Sequence, residues 1–241
     1  MTSEVRLLVE HMTGAVEEKR AGVSLWRGTL FGRDCVVART GMGKVSAASA
    51  TQHLIDRFDA RPLVVCGLAG GIGAGLVVGD VVVGRACVQH DMDASPIVPR
   101  FVVPGLGLRE FLAPPELVTS AVASAEAFLR GPLFGALGTD LLNEFAIDEP
   151  KVVAGLIATG DQFIDLDRRP DLLAALPEAL CVEMEGAAIA QVCHINGVPF
   201  VIIRTISDQA DAKAAIDFGR FVQAVAPHYT VGIVRELFAR L

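Results

Sequence analysis

The apolar run Val198-Pro-Phe-Val-Ile-Ile203 is β-branched and aromatic and has the length of a buried strand. Arg204-Thr-Ile-Ser-Asp208 carries it outward to a polar carboxyl end. From Gly186 to His194 small and apolar residues dominate, as in a buried helix, and Asn196-Gly197 ends that stretch with residues that tolerate a left-handed turn. Just before it, Glu183 and Glu185 close a short strand-like piece. Ligands of open α/β sheets bind at the carboxyl ends of strands. Two strands ending in acids and joined by a helix therefore place Glu183, Glu185 and Asp208 at one rim. Arg204 is the natural salt-bridge partner of Glu183, and both read as structural.

The remaining pattern alternates strands and helices. Met1 to Met12 reads as a helix with Thr2 or Ser3 as N-cap and Val5, Leu8 and Met12 on one face. Residues 22–39 alternate as a hairpin that turns at Gly32-Arg-Asp34. Thr40-Gly-Met-Gly-Lys44 opens a helix through Ser46 to Phe58, and the amides at its start are suited to an anion or a ribose. Pro62 to Cys66 is a buried strand ending in the glycine loop Gly67-Leu-Ala-Gly-Gly71, where backbone can approach a sugar closely. Val77 to Val83 forms the next strand, and His90-Asp-Met-Asp93 ends the stretch begun at Val81. A proline- and glycine-rich loop spans Pro96 to Phe111, and a helix runs from Pro115 to Leu129. Leu133 to Phe145 has no secure assignment. Val152 to Ala158 is a strand, Pro170 to Leu176 a short helix, and Asp217 to Leu241 a helical stretch that Pro227 should kink or divide.

Composition narrows the function. Hydrophobic residues make up 52% of the chain and the mean hydropathy is +0.48, ample for one large core, and with no linker or repeat residues 1–241 read as a single domain. A net charge of -7 and a pI near 5.2 argue against a nucleic-acid partner. Five cysteines without metal-ligand spacing read as reduced thiols of a cytoplasmic protein. The longest uncharged run, Pro62 to Gly79, is too rich in glycine for a membrane helix, so a soluble protein with no membrane partner is expected.

Several separated motifs, in order, resemble one family. They are Thr40-Gly-Met-Gly-Lys-Val, Cys66-Gly-Leu-Ala-Gly-Gly71, His90-Asp-Met-Asp93, Thr159-Gly-Asp-Gln-Phe-Ile164, Val182-Glu-Met-Glu-Gly-Ala-Ala-Ile-Ala190 and Val198-Pro-Phe-Val-Ile-Ile-Arg-Thr-Ile-Ser-Asp208. Together they look like the signature of the methylthioadenosine/S-adenosylhomocysteine nucleosidases of the nucleoside phosphorylase superfamily. The resemblance implies a three-layer α/β/α fold with a central mixed sheet, no cofactor and no metal, and a homodimer acting on a small nucleoside in methionine salvage.

It also implies roles. Asp208, with Ser207 beside it, would protonate purine N7. Glu185 would bind the ribose hydroxyls, Met184 would pack on the sugar, and Gly67 would let the backbone come close to it. Phe163 would stack on adenine while the Ile164 backbone reads its edge, Phe218 would line the 5′-substituent pocket, and Glu4 would hold the attacking water. To act as an acid Asp208 must carry a proton, which burial among Ile202, Ile203 and Ile206 favours.

Three departures keep alternatives open. The chain starts almost at Glu4, where relatives have a first β-strand; Leu68 stands where the nucleosidases usually have serine; and Val65 and Cys66 replace an arginine that holds phosphate in phosphorylases. An apolar pair cannot neutralise a phosphate dianion, which favours water as nucleophile. The alternatives are a purine nucleoside phosphorylase or futalosine-type hydrolase of the same fold, and a non-catalytic nucleoside-binding protein. Arg100, in the loop expected to cover the 5′ arm, could pair with a carboxylate there or remain solvated.

Overall fold

The structure is a computed structural model that describes residues 2–20, 22–165, 167–208 and 214–241; the side chains of residues 2–4 and 214–218 are not among those described. The elements in order are α1 (Thr2–Glu10), β1 (Met12–Arg20), β2 (Val23–Leu30), β3 (Arg33–Arg39), α2 (Lys44–Phe58), β4 (Leu63–Gly71), β5 (Val81–Gln89), β6 (Glu110–Leu112), α3 (Pro115–Arg130), α4 (Pro132–Glu144), β7 (Val152–Thr159), α5 (Arg169–Ala175), β8 (Ala179–Glu183), α6 (Gly186–Asn196), β9 (Phe200–Asp208), α7 (Ala214–Ala224) and α8 (Ala226–Phe238).

Six strands form a mixed sheet in the order β6-β5-β7-β8-β4-β9, and β5 also pairs with β9, so the sheet curls back on itself. Every residue of β9 is buried, as expected of a strand covered on both faces. On one side α2 packs on α6; on the other α1, α3, α4 and α7 pack with one another and with α8. Gly197, at φ 62, ends α6 in the left-handed turn expected from Asn196-Gly197. Pro227 divides the last helical stretch, α7 ending at Ala224 and α8 starting at Ala226 with the proline in its first turn.

A second, three-stranded antiparallel sheet, β1-β2-β3, contains the expected hairpin and one strand beyond it. Met12 belongs to that strand rather than to the apolar face of α1, whose last residue is Glu10. The strand escapes the hydrophobic pattern because most of its side chains, among them Glu17, Lys19 and Arg20, are exposed. Its ladder to β2, with a register shift between Thr13 and Val16, holds it instead.

Two other boundaries move. The Gly67–Gly71 stretch is not a loop but the end of β4, since it pairs with β9 on one side and, at Gly70 and Gly71, with β8 on the other. Conversely, the strand expected from Val77 begins only at Val81. The fully buried Asp80 turns the chain there: its carboxylate accepts the Val77 N–H at 3.0 Å and the Lys151 N–H at 2.9 Å. The unassigned stretch from Leu133 belongs to α4, Pro132–Glu144, which has a kink at Gly138, φ 73, and it is the glycines that hide this helix from a periodicity reading.

Candidate active site

Strands β8 and β9 end side by side with β4, and their terminal acids converge as expected. Thr159, at the end of β7, pairs with Glu183 at the end of β8; Gly70 of β4 pairs with Asp208 at the end of β9. Along the shared edge of β4 and β9, Gly67 lies opposite Arg204. A β-carbon on Gly67 would fall 1.9 Å from Arg204 Nη1, so glycine is required here for a reason beyond approach to a sugar: the guanidinium crosses over it.

Arg204 then meets both glutamates. It forms a buried ion pair with Glu183, the two side chains being 4% and 2% exposed, and its Nη2 lies 3.5 Å from Glu185 Oε2. Glu183 also accepts a hydrogen bond from the Thr159 hydroxyl, from the Glu185 N–H at 3.1 Å and from the Gly186 N–H at 2.8 Å. A carboxylate with this many donors is a structural anchor: it caps the start of α6, where the helix dipole favours a negative charge. Gly186 sits so tightly beneath it that an added β-carbon would lie 3.0 Å from Glu183 Oε1.

Glu185, only two residues on, has a different place. Its ψ of -37° ends the extended stretch and makes it the N-cap residue of α6, so its side chain parts from that of Glu183. Glu185 is 18% exposed, and its Oε1 accepts the Gly43 N–H at 3.0 Å. Asp208 is buried at the end of β9, and its Oδ2 accepts the Ser207 hydroxyl at 2.9 Å. Burial also keeps the thiols of Cys87 and Cys181 protonated: it pushes both well above the usual thiol range, removing them as nucleophiles.

These residues open on one continuous groove of about 2120 Å³. It is larger than the roughly 300–1,000 Å³ of a small-molecule pocket. Gly67, Met184, Glu185, Ser207, Asp208, Phe163 and Ile164 all line it, so seven of the nine residues singled out from sequence share one cavity. Phe163 is half exposed at its mouth and Ile164 is buried in its wall. The side chains of Glu4 and Phe218 lie outside the described residues, although Val5 and Leu8, the next turn of α1, line the same groove. The groove continues between the two sheets, along Asp34 to Arg39 of β3 and Leu63 to Gly70 of β4, past the half-buried Val65, Cys66 and Leu68.

Arg100 is exposed, stacks over Phe101 at 4.6 Å and is not among the groove residues, which is the geometry of a solvated arginine. His90, just past the end of β5, is buried under Gly160: an added β-carbon on that glycine would be 2.3 Å from His90 Nε2, and burial lowers the imidazole pKa. Asp161 and Gln162 were not foreseen as site residues. Gln162 lines the groove and Asp161 does not; their sequence signal is their place in the Thr159–Ile164 motif, just past the end of a buried strand.

A family model described as the phosphorylase superfamily matches residues 1–236. A methylthioadenosine/S-adenosylhomocysteine nucleosidase of a Shewanella species is 36% identical over 229 residues, covering 95% of this chain and 91% of that protein. The crystal structure of the nucleosidase of that name from Neisseria meningitidis, in complex with methylthio-immucillin-A, is 35% identical, with a TM-score of 0.87 over 100% of this chain and 96% of that one. The futalosine hydrolase of Helicobacter pylori is also similar, at 27% identity and a TM-score of 0.83, covering 100% of this chain and 95% of that one. With its motifs in place around the groove, the chain belongs to the methylthioadenosine/S-adenosylhomocysteine nucleosidase family of the phosphorylase superfamily.

Proposed function

We propose that the protein hydrolyses the N-glycosidic bond of 5′-thio-substituted adenosines, methylthioadenosine and S-adenosylhomocysteine, and releases adenine. The observation that carries the reading is the pairing, in one groove, of a buried acid at the end of β9 with a separate, partly open carboxylate two residues past the end of β8. Breaking the bond from C1′ to N9 leaves electron density on the purine and an oxocarbenium-like sugar. Asp208 delivers a proton to N7, and the Ser207 hydroxyl holds its carboxyl in place. Glu185 accepts from the ribose hydroxyls while Arg204 and the Gly43 amide fix its orientation. Met184 packs on the sugar. Phe163 stacks on adenine while the Ile164 backbone reads its edge, and Phe218 lines the pocket of the 5′ substituent. Glu4 holds the water that adds at C1′.

Water rather than phosphate is the nucleophile, because Val65 and Cys66 are apolar where β4 enters the groove. The similarity to a futalosine hydrolase favours a second reading, the same reaction on a nucleoside with a different 5′ arm. One assay addresses both. Methylthioadenosine, S-adenosylhomocysteine and futalosine are incubated in phosphate buffer and the sugar product is identified; free sugar from the first two supports the proposal. A sugar phosphate as main product, or turnover of futalosine alone, overturns it.

A homodimer active in the cytoplasm in methionine salvage completes the reading. Its support is the exposed apolar pair Met42 and Val45 beside the mouth of the groove, 64% and 81% exposed, which a second copy would cover.

A further inference from the structure

Helix α2 begins without a cap of its own. Its N-cap residue is Gly43, no side chain of its own caps it, and no acid occupies its first turn. The two amides at its start are nevertheless both satisfied, by carboxylates from distant parts of the chain. Gly43 N–H donates to Glu185 Oε1 at 3.0 Å, and Lys44 N–H donates to Asp161 Oδ1 at 2.8 Å. The turn leaves room for nothing else: Gly43 has φ 88, and a β-carbon on it would lie 3.0 Å from Asp161 Oδ1.

Asp161 is itself held from behind. Its N–H donates to Asp91 Oδ2 at 2.9 Å, and Asp91 Oδ1 accepts the Lys44 ammonium at 2.7 Å. Lys44, Asp161 and Asp91 therefore form a closed ring that joins three turns: the one before α2, the one after β5 and the one after β7. The Lys44 ammonium also donates to Gln89 Oε1 at 3.2 Å, and Gln89 Nε2 donates to Gln191 Oε1 on α6 at 2.6 Å. Burial raises the Asp91 pKa, but the hydrogen bonds from Lys44 and from the Asp161 amide outweigh it and hold the carboxyl below its usual range, so the ring is charged.

We infer that Asp161 is a positioning residue, whose carboxylate locks the Thr40–Lys44 turn so that the Gly43 amide orients Glu185, while its main-chain N–H, held by Asp91, anchors the stretch Gln162–Ile164. Asp161 does not itself line the groove. Its effect is transmitted through adjacent amides, one holding the carboxylate assigned to the sugar and the other holding the segment assigned to the base. The two halves of a nucleoside are thereby registered to each other, and small misplacements of that kind are costly to catalysis. The inference rests on the reading of Glu185 as the ribose carboxylate.

The test compares kcat/KM for methylthioadenosine and for its 3′-deoxy counterpart, and reads the ratio between them. In the unaltered protein the ratio should favour the ribonucleoside, and Glu185→Gln should abolish that preference. Asp161→Ala should lower kcat/KM on the ribonucleoside roughly tenfold while changing the deoxy substrate by less than about threefold, so that the ratio collapses. Asp161→Asn keeps an acceptor oxygen for the Lys44 N–H and should preserve the ratio. Equal losses on both substrates in Asp161→Ala, or none, would overturn the positioning role while leaving Glu185 its ribose. A ratio near one in the unaltered protein would overturn both together. If Asp161→Ala fails to fold, Asp91→Asn loosens the ring from behind and should shift the ratio in the same direction by about threefold; an unchanged ratio there overturns the inference.

Discussion

The two ends of the groove are built on opposite principles. At the carboxylate end positions are set by hydrogen bonds and ion pairs, Glu183 by Arg204, Thr159 and the amides at the start of α6, Glu185 by Gly43 and Arg204, and Asp208 by the adjacent Ser207. At the other end, between β3 and β4, apolar side chains such as Val36, Val37, Val64 and Val65 line the cavity and remain only half buried. Close packing contributes little where side chains face an open cavity, because part of each has no neighbouring atoms to attract it. Precision sits where charge and hydrogen bonding supply it, and bulk tolerance where only apolar contact does.

Within the carboxylate end a finer contrast separates two buried acids. Glu183 spends its oxygens on the protein, whereas Asp208 sits at the outermost residue of β9 on the groove wall. The largest effect should therefore come from Asp208→Asn, which preserves shape but removes the proton donor. Adenine release, followed by ultraviolet absorbance, should fall by about 10²- to 10⁴-fold with the folding midpoint unchanged. Near-normal turnover would take Asp208 out of the mechanism and erase the contrast with Glu183.

Arg204→Met tests the other acid. It leaves Glu183 buried without its cation, a loss that costs about 3–5 kcal/mol when one partner of a buried pair is removed. The midpoint of urea unfolding should drop accordingly, and the double variant Arg204→Met with Glu183→Gln should recover part of it. A drop below about 1 kcal/mol would place the pair with ordinary surface bridges.

The smallest effect is expected at the apolar end. Val65→Ala removes two methyl groups that already face the cavity, and should cost about 1 kcal/mol or less. Truncating a fully enclosed side chain, as in Ile206→Ala, should cost about 2–5 kcal/mol. Equal costs at the two positions would mean that the cavity between the sheets is filled in solution, and would remove the distinction between the two ends.

Much of this layout was legible in advance where local pattern and burial coincide. The run from Phe200 to Ile203 announces a buried strand, Asn196-Gly197 a helix end, and the two acids at the ends of β8 and β9 a rim. It was not legible where exposed strands are held by ladders alone, as in Met12–Arg20, or where glycine continues a strand, as in Gly67–Gly71. In both cases the information lies in the partner strand and not in the segment.

The order of the strands and helices other than β1, β6 and α4, the bracketing of α6 by two acid-tipped strands and the presence of acids at the rim were determined by sequence alone, because side-chain periodicity records which face of each element meets the core. Tertiary structure alone decided how the acids divide their tasks. Glu183 and Glu185 are two residues apart, yet one caps α6 against Arg204 and the other takes the amide of Gly43, 142 residues away. Gly67 and Arg204 fit only because the register of β4 against β9 sets them opposite each other. Such pairings depend on sheet register and on turns brought together from distant segments, and no local pattern of polar and apolar positions carries that geometry.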